Sequence, residues 1–136
     1  LEVRLPSGDF FIVPSNLYII GTMNTADKSI ALLDIALRRR FEFEPMYPKY
    51  KIDGREIPNA KVLEQLNTKI IETKGHDFQI GHAYFMDEST NLVERMNKKV
   101  IPLLLEYYMN DEKEVKQILN DVGLKTRDNA WPLRIE

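Results

Sequence analysis

The sequence predicts an α/β segment followed by an all-helical one, and three observations point there. A nearly continuous apolar run, Leu17-Tyr18-Ile19-Ile20-Gly21-Thr22-Met23, lacks the polar alternation of a half-exposed strand, as strands buried on both faces of an α/β sheet do. Beyond residue 58 the apolar residues recur at three- and four-residue intervals, the period of helices. Between these parts, from Tyr47 to Pro58, Lys, Asp, Gly, Arg and Pro accumulate, the composition of a connection between subdomains. The expected organisation is an α/β part over 1–48, a linker over 49–58 and a helical subdomain over 59–136.

The elements follow in order. Residues 1–5 and 10–13 are short apolar-rich runs around Pro6-Ser7-Gly8-Asp9, a connection rich in turn formers, so a hairpin is expected. After the Pro14-Ser15-Asn16 break comes the buried strand over 17–23, at whose carboxyl end α/β sheets place ligands. Thr25, Asp27 and Ser29 are competent N-caps for a helix whose Ile30, Leu33 and Leu37 share one face and which stops near Arg40. Phe41-Glu42-Phe43-Glu44 alternates with period two before Pro45 and Pro48, which predicts a further strand. Asn59 is positioned to cap a helix along Val62, Leu63, Leu66, Ile70 and Ile71 that Gly75 closes. Residues 78–86 are short extended or looped chain. A second helical stripe runs from Leu92 to Tyr107, kinked or restarted at Pro102, and Val115, Ile118, Leu119 and Val122 mark a third helix ending near Gly123. The tail allows a short strand at Pro132-Leu133-Arg134-Ile135.

With 136 residues, 43% hydrophobic, and 19 Lys+Arg against 21 Asp+Glu, the composition excludes collagen, coiled coil and disorder. The absence of cysteine excludes disulfides, Cys-based zinc sites and thiolate catalysis, and leans toward a reducing, cytoplasmic compartment. No apolar run approaches the roughly 20 residues of a membrane span. Leu1-Glu2-Val3-Arg4 is neither a signal peptide nor an initiator, so the chain is expected to start within a longer protein. A net charge of -2 gives no general attraction to phosphate backbones, so DNA would be held by regions outside this chain.

Phosphate chemistry comes first in an open α/β sheet, yet no GxxxxGK loop exists here. The apolar run from Leu103 that ends in Asp111-Glu112 imitates an acidic magnesium motif, but its apolar residues continue a helical stripe, so helix followed by cap is expected. His76, Asp77 and His82 match no usual metal spacing, and no G-x-S-x-G elbow is present; metal and Ser/His/Asp chemistry are not expected. The informative stretch is Gly21-Thr22-Met23-Asn24-Thr25-Ala26-Asp27-Lys28-Ser29 followed by Asp34-Ile35-Ala36-Leu37-Arg38-Arg39-Arg40-Phe41. It puts a carboxamide at a strand's carboxyl end and three guanidinium groups at the far end of the next helix. A carboxamide orients a water or a terminal phosphate, and arginine offers a planar fork to phosphate oxygens. The same residues also serve as cap, i,i+4 pair and counter-charge to the helix dipole, so on residue chemistry alone both readings stand.

The run GTMNTADKS…LLDIALRRRFEFEPMYP resembles the AAA+ nucleotidase of the McrB-like family, the NTPase subunits of 5-methylcytosine-specific restriction systems. The later FQIGHAYFM and VIPLLLEYY segments resemble that family's helical lid, so the resemblance covers nearly the whole chain. It implies the C-terminal part of an AAA+ P-loop NTPase core followed by a helical lid subdomain, with the Walker A and Walker B segments preceding the region shown. It implies that Asn24 is the sensor-1 residue and that the Arg39-Arg40 pair includes an arginine finger reaching a neighbouring subunit's nucleotide in a hexameric ring. Asp27 and Lys28 fall in the family's signature loop, where Lys28 replaces the usual arginine and loses its bidentate fork. Gly81 and His82 are expected near the bound nucleotide. The implied ligand is GTP or ATP with Mg2+ in the longer protein, and the implied partners are other copies of the chain, a McrC-type nuclease subunit and DNA. A different class of reading, a non-catalytic oligomerisation or adaptor module, stays open. The two core strands would flank a first strand outside this chain, so they are expected to close against each other or to pair with a second copy, while the helices after residue 59 fold from local contacts.

Overall fold

The computed structural model describes residues 2–26 and 38–136. It divides into two compact units, Leu1–Leu32 and Leu33–Glu136.

In the first unit, β1 (Glu2–Arg4) pairs antiparallel with β2 (Phe10–Ile12), with Val3 opposite Phe11. The expected hairpin therefore forms. Its turn closes through bonds from Leu5 N–H to the Asp9 carbonyl and from Gly8 N–H to the Leu5 carbonyl, both 2.9 Å, and Gly8 takes the positive φ of 92° that a side chain would resist. The strand expected over 17–23 is not formed: the segment has no ladder and is solvent-facing, with Ile20 95% exposed. Residues 41–44 likewise carry no ladder and are exposed. A strand apolar on both faces needs partners for its N–H and C=O groups and cover on each side, and no described residue supplies them.

The second unit holds the core. The linker contains a hairpin of its own, β3 (Lys51–Ile52) with β4 (Arg55–Glu56), turned by Asp53 and Gly54 at φ of 50° and 77°. Two successive positive φ values are the signature of the tight turn that Asp-Gly favours. Helix α1 (Ala60–Lys74) begins differently from the sequence expectation. The Asn59 side chain accepts no capping bond; the residue sits left-handed at φ 56°, and its carbonyl accepts from Val62 and Leu63 N–H at 3.0 and 3.2 Å. Asn tolerates this conformation better than most residues. Gly75, at φ 99°, closes the helix as expected, its N–H shared between the Ile70 and Ile71 carbonyls.

The next stripe is one helical run in three pieces: α2 (Leu92–Arg95), a π turn at Met96–Val100, and α3 (Ile101–Tyr107). The α-helix resumes after the π turn with Pro102 in the first turn of α3, the restart that the proline predicts. Proline has no N–H and crowds the carbonyl one turn back, and the wider π turn relieves that crowding. Helix α4 (Glu112–Asp121) starts at Asp111, whose carboxylate accepts from Lys113 and Glu114 N–H at 3.1 Å. The acidic end of the Leu103 run is thus a helix cap, as its periodicity indicates. In the tail, Thr126 bridges Ile135, and Asn97 from the π turn grips Ile135 by both backbone groups at 2.8 and 3.2 Å.

Leu63, Leu66 and Ile70 of α1 meet Phe85, Met96, Val100, Leu104 and Leu119 in one buried cluster. Leu66 is fully buried there. We expect Leu66→Ala to cost about 3 kcal/mol, transfer plus cavity, read as a lowered denaturant midpoint at unchanged slope; a loss under about 1 kcal/mol would mean that the core collapses around the gap.

Candidate functional site

The segment Gln79-Ile80-Gly81-His82 joins two 3-10 turns, His76–Phe78 and His82–Phe85, and lies against α1 and the linker. Its hold on α1 is the side chain of Asn67. Asn67 is fully buried on the apolar face between Leu63, Leu66 and Ile70. Its Oδ1 accepts from Ile80 N–H at 2.7 Å, and its Nδ2 donates to the Ile80 carbonyl at 3.0 Å and to the Tyr50 hydroxyl at 3.3 Å. One carboxamide thus replaces a strand partner for Ile80 and ties the linker to the same point. Three bonds offset the desolvation of the amide. One residue later but one, His82 is half-buried, and its Nδ1 accepts from Lys49 N–H at 3.2 Å. Tyr47 meets His76 edge-on, with ring centroids 6.2 Å apart. The linker is therefore bonded directly to the segment that carries Gly81 and His82.

Beyond the segment, the loop from Asp87 to Thr90 is held by Arg95, which is 2% exposed. Its Nη2 donates to the Asp87 and Thr90 carbonyls, and the guanidinium lies 5.8 Å from the centroid of the Phe85 ring. Its Nε and Nη1 have no hydrogen-bond partner, and the Phe85 ring face provides part of the compensation. Asp87 is held below its ordinary carboxyl pKa, first by the Ser89 hydroxyl and then by the Ser89 N–H, at 2.5 and 3.0 Å, with Lys99 and Arg95 adding favourable charge. A carboxylate with a lowered folded pKa adds stability above its unfolded pKa and loses it as pH falls through the folded value. Thermal midpoints measured down an acid series should therefore fall less steeply for Asp87→Asn than for the wild type. Parallel acid limbs would show that the turn gains nothing from the charge. Burial pushes the Tyr107 and Tyr108 hydroxyls above their ordinary range.

The other sequence-predicted residues lie elsewhere. Asn24 is exposed in the first unit, and its Oδ1 accepts from Ala26 N–H at 3.2 Å, which closes a turn with the carboxamide at its start. Asp27 and Lys28 lie outside the described residues. Arg39 and Arg40 are exposed in the second unit, just before the linker. The structure brings His82 and Gly81 together with the linker. Asn67, Tyr50 and Lys49 were not singled out from the sequence, and one signal could have found Asn67: a polar amide at the centre of the apolar stripe Leu63, Leu66, Ile70. Among the described residues, no group of three or more His, Cys, Asp or Glu side chains could hold a metal ion.

The family model described as McrB, alpha-helical lid domain, matches residues 58–116, from the end of the linker into α4. The type IV methyl-directed restriction enzyme EcoKMcrB subunit of Escherichia coli K12 is 34% identical over 139 aligned residues, covering 82% of this chain. The chain belongs with the McrB-like proteins. A second relative, the type II restriction enzyme BsuMI component YdiS of Bacillus subtilis, is 29% identical over 113 residues, or 74% of this chain. The chain spans about a third of the length of these relatives, 30% and 32%. The helices α1 to α3, with the Asn67-anchored segment between them, are accordingly a McrB-type lid. Both relatives are restriction-system components, which fits a subunit of a multi-component assembly. No described helix is long and apolar enough to cross a membrane.

Proposed function

We propose that this McrB-like chain supplies the sensor amide, the arginine finger and the lid of a AAA+ nucleoside triphosphatase, most naturally a GTPase, in a DNA restriction system. The match of residues 58–116 to the McrB lid carries this reading. The Asn24 and Arg39-Arg40 motif supports it by its chemistry. Asn24 presents an amide able to hold a water or a terminal phosphate, and Arg39 and Arg40 present exposed guanidinium groups suited to phosphate oxygens. In this reading the accompanying Mg2+ is held by the Walker segments of the longer protein, outside this chain.

In this reading Asp27 belongs to the loop that follows the sensor, and Gly81 and His82 of the lid face the nucleotide. Hydrolysis would belong to the longer protein, working as a hexameric ring in the cytoplasm with a McrC-type nuclease, on DNA held by other regions. The lid's role is positional: a rigid helical body bonded to its own linker by Lys49 and Tyr50 carries His82 wherever the linker turns.

The test is hydrolysis of GTP and of ATP by the longer protein, alone and with its nuclease subunit. Turnover of either nucleotide supports the reading, and preference for GTP supports its finer form. Assembly with no turnover of either would leave an oligomerisation or adaptor module as the function.

A further inference from the structure

Asn67 has no apolar reason to stand where it does. Leu63, Leu66 and Ile70 fill the same helix face, and an amide is desolvated there at a cost that a leucine would not carry. Its three bonds all serve one local result: Ile80 is fixed by both backbone groups, and Tyr50 of the linker is drawn to the same amide. Two residues after Ile80, the His82 ring meets the backbone N–H of Lys49. Lys49 can only donate at that atom, so Nδ1 is the acceptor, and a ring that carries one proton carries it on Nε2. The backbone around Lys49 is held in turn by Tyr50, whose carbonyl accepts from Ile57 N–H at 3.1 Å.

We propose that Asn67 is a positioning residue that fixes His82 as a neutral Nε2–H donor, so that the lid meets a nucleoside triphosphate with a hydrogen-bond donor of set direction. This rests on the reading that the Gly81-His82 segment faces the nucleotide. The alternative tautomer would present a lone pair at Nε2 and repel a phosphate or carbonyl oxygen. The choice between donor and acceptor is made by Lys49 N–H, and the register that lets Lys49 reach the ring is set by Asn67. The coupling runs both ways. A ligand oxygen bonded to Nε2–H favours the tautomer whose Nδ1 holds the linker, so the linker and the ligand-facing side of the ring reinforce one another.

The ring nitrogens report this directly. In the 15N-labelled chain, with His76 assigned through His76→Gln, His82 is expected to show the Nε2–H tautomer, and the Lys49 amide to be protected from exchange. Asn67→Asp keeps the acceptor for Ile80 N–H and loses both donors. It should convert His82 to a mixture of tautomers and lower Lys49 protection on the order of tenfold, one hydrogen bond's worth, with helix content by circular dichroism unchanged. Tyr50→Phe, which removes only the hydroxyl, should shift both readouts in the same direction by less. An Nδ1–H ring in the wild type overturns the proposal, as does a tautomer insensitive to Asn67→Asp. If Asn67→Asp does not fold, the wild-type tautomer and the Tyr50→Phe response decide in its place. Adding GTP or ATP to the longer protein then separates the two layers: a shift at Nε2 supports both. An unmoved Nε2 in a ring that still obeys Asn67 keeps the positioning role and overturns the nucleotide-facing reading.

Discussion

Arg40→Ala is expected to abolish nucleotide hydrolysis in homogeneous rings of the longer protein and to be rescued in mixed ones. The expected loss is about a thousandfold, the lower end of what arginine fingers contribute to phosphoryl transfer. Such a group acts where charge builds on the transferring phosphoryl, and its planar fork places two donors at once. A cap at a helix end, by contrast, is worth about 1 kcal/mol or less and touches stability, not turnover. The side chain is exposed, as a group meant for another subunit must be, and an exposed structural arginine would look no different. Mixing resolves that ambiguity. Subunits with Arg40→Ala and an intact P-loop are combined with subunits that keep Arg40 but lack a working P-loop. A finger acting across the interface restores turnover at the mutant subunits' own nucleotide sites, and mixed rings of confirmed assembly that remain inactive would assign Arg40 a local role. Arg39→Ala run in parallel identifies which of the pair reaches across.

How much of this was legible follows from how local each signal is. The first hairpin was readable because Pro6-Ser7-Gly8-Asp9 specifies its own turn, and α1 and α4 were readable because their stripes need only the helix's period. The Asp53-Gly54 hairpin carried an equally local signal, but its flanking strands are two residues each, too short to show alternation. Pro102 announced a disturbance without saying which, since a kink, a restart and a π turn all relieve the same missing N–H. The buried strand over 17–23 failed for the opposite reason. An apolar run predicts a buried strand only if partners cover it; ladders are made by partners distant in sequence, and none is supplied among the described residues. Leu17, Tyr18, Ile19 and Ile20 therefore stand in water, each more than half exposed.

The candidate site divides along the same line. Gly81 and His82 were legible only through family resemblance. The residues that give them a geometry, Asn67, Tyr50 and Lys49, come from 13 and 33 positions away in the pairs that matter. A buried amide in an apolar stripe signals that some backbone group needs it, but the sequence does not say which. The answer, Ile80, explains why the linker and the lid act as one body: the same amide satisfies both.

Asn24→Ala is expected to lower turnover of the longer protein by roughly two orders of magnitude while leaving nucleotide affinity nearly intact, the loss of one transition-state hydrogen bond. The described geometry adds a specific constraint. Asn24 Oδ1 accepts from Ala26 N–H in shaping the turn, and the Nδ2 donors are the groups able to bond a phosphate oxygen. Asn24→Asp preserves that turn and replaces the donor with a second acceptor of negative charge. It should therefore be at least as damaging to turnover as alanine although it is nearly isosteric. Asn24→Ser also keeps a side-chain oxygen within reach of a turn N–H and retains one donor, so it should fall between wild type and alanine. Single-turnover rates and equilibrium nucleotide affinities measured on the three variants discriminate the roles. Affinity and turnover falling together in Asn24→Ala would mean that the amide holds the ground state, and an Asn24→Asp protein as active as wild type would mean that only the turn matters.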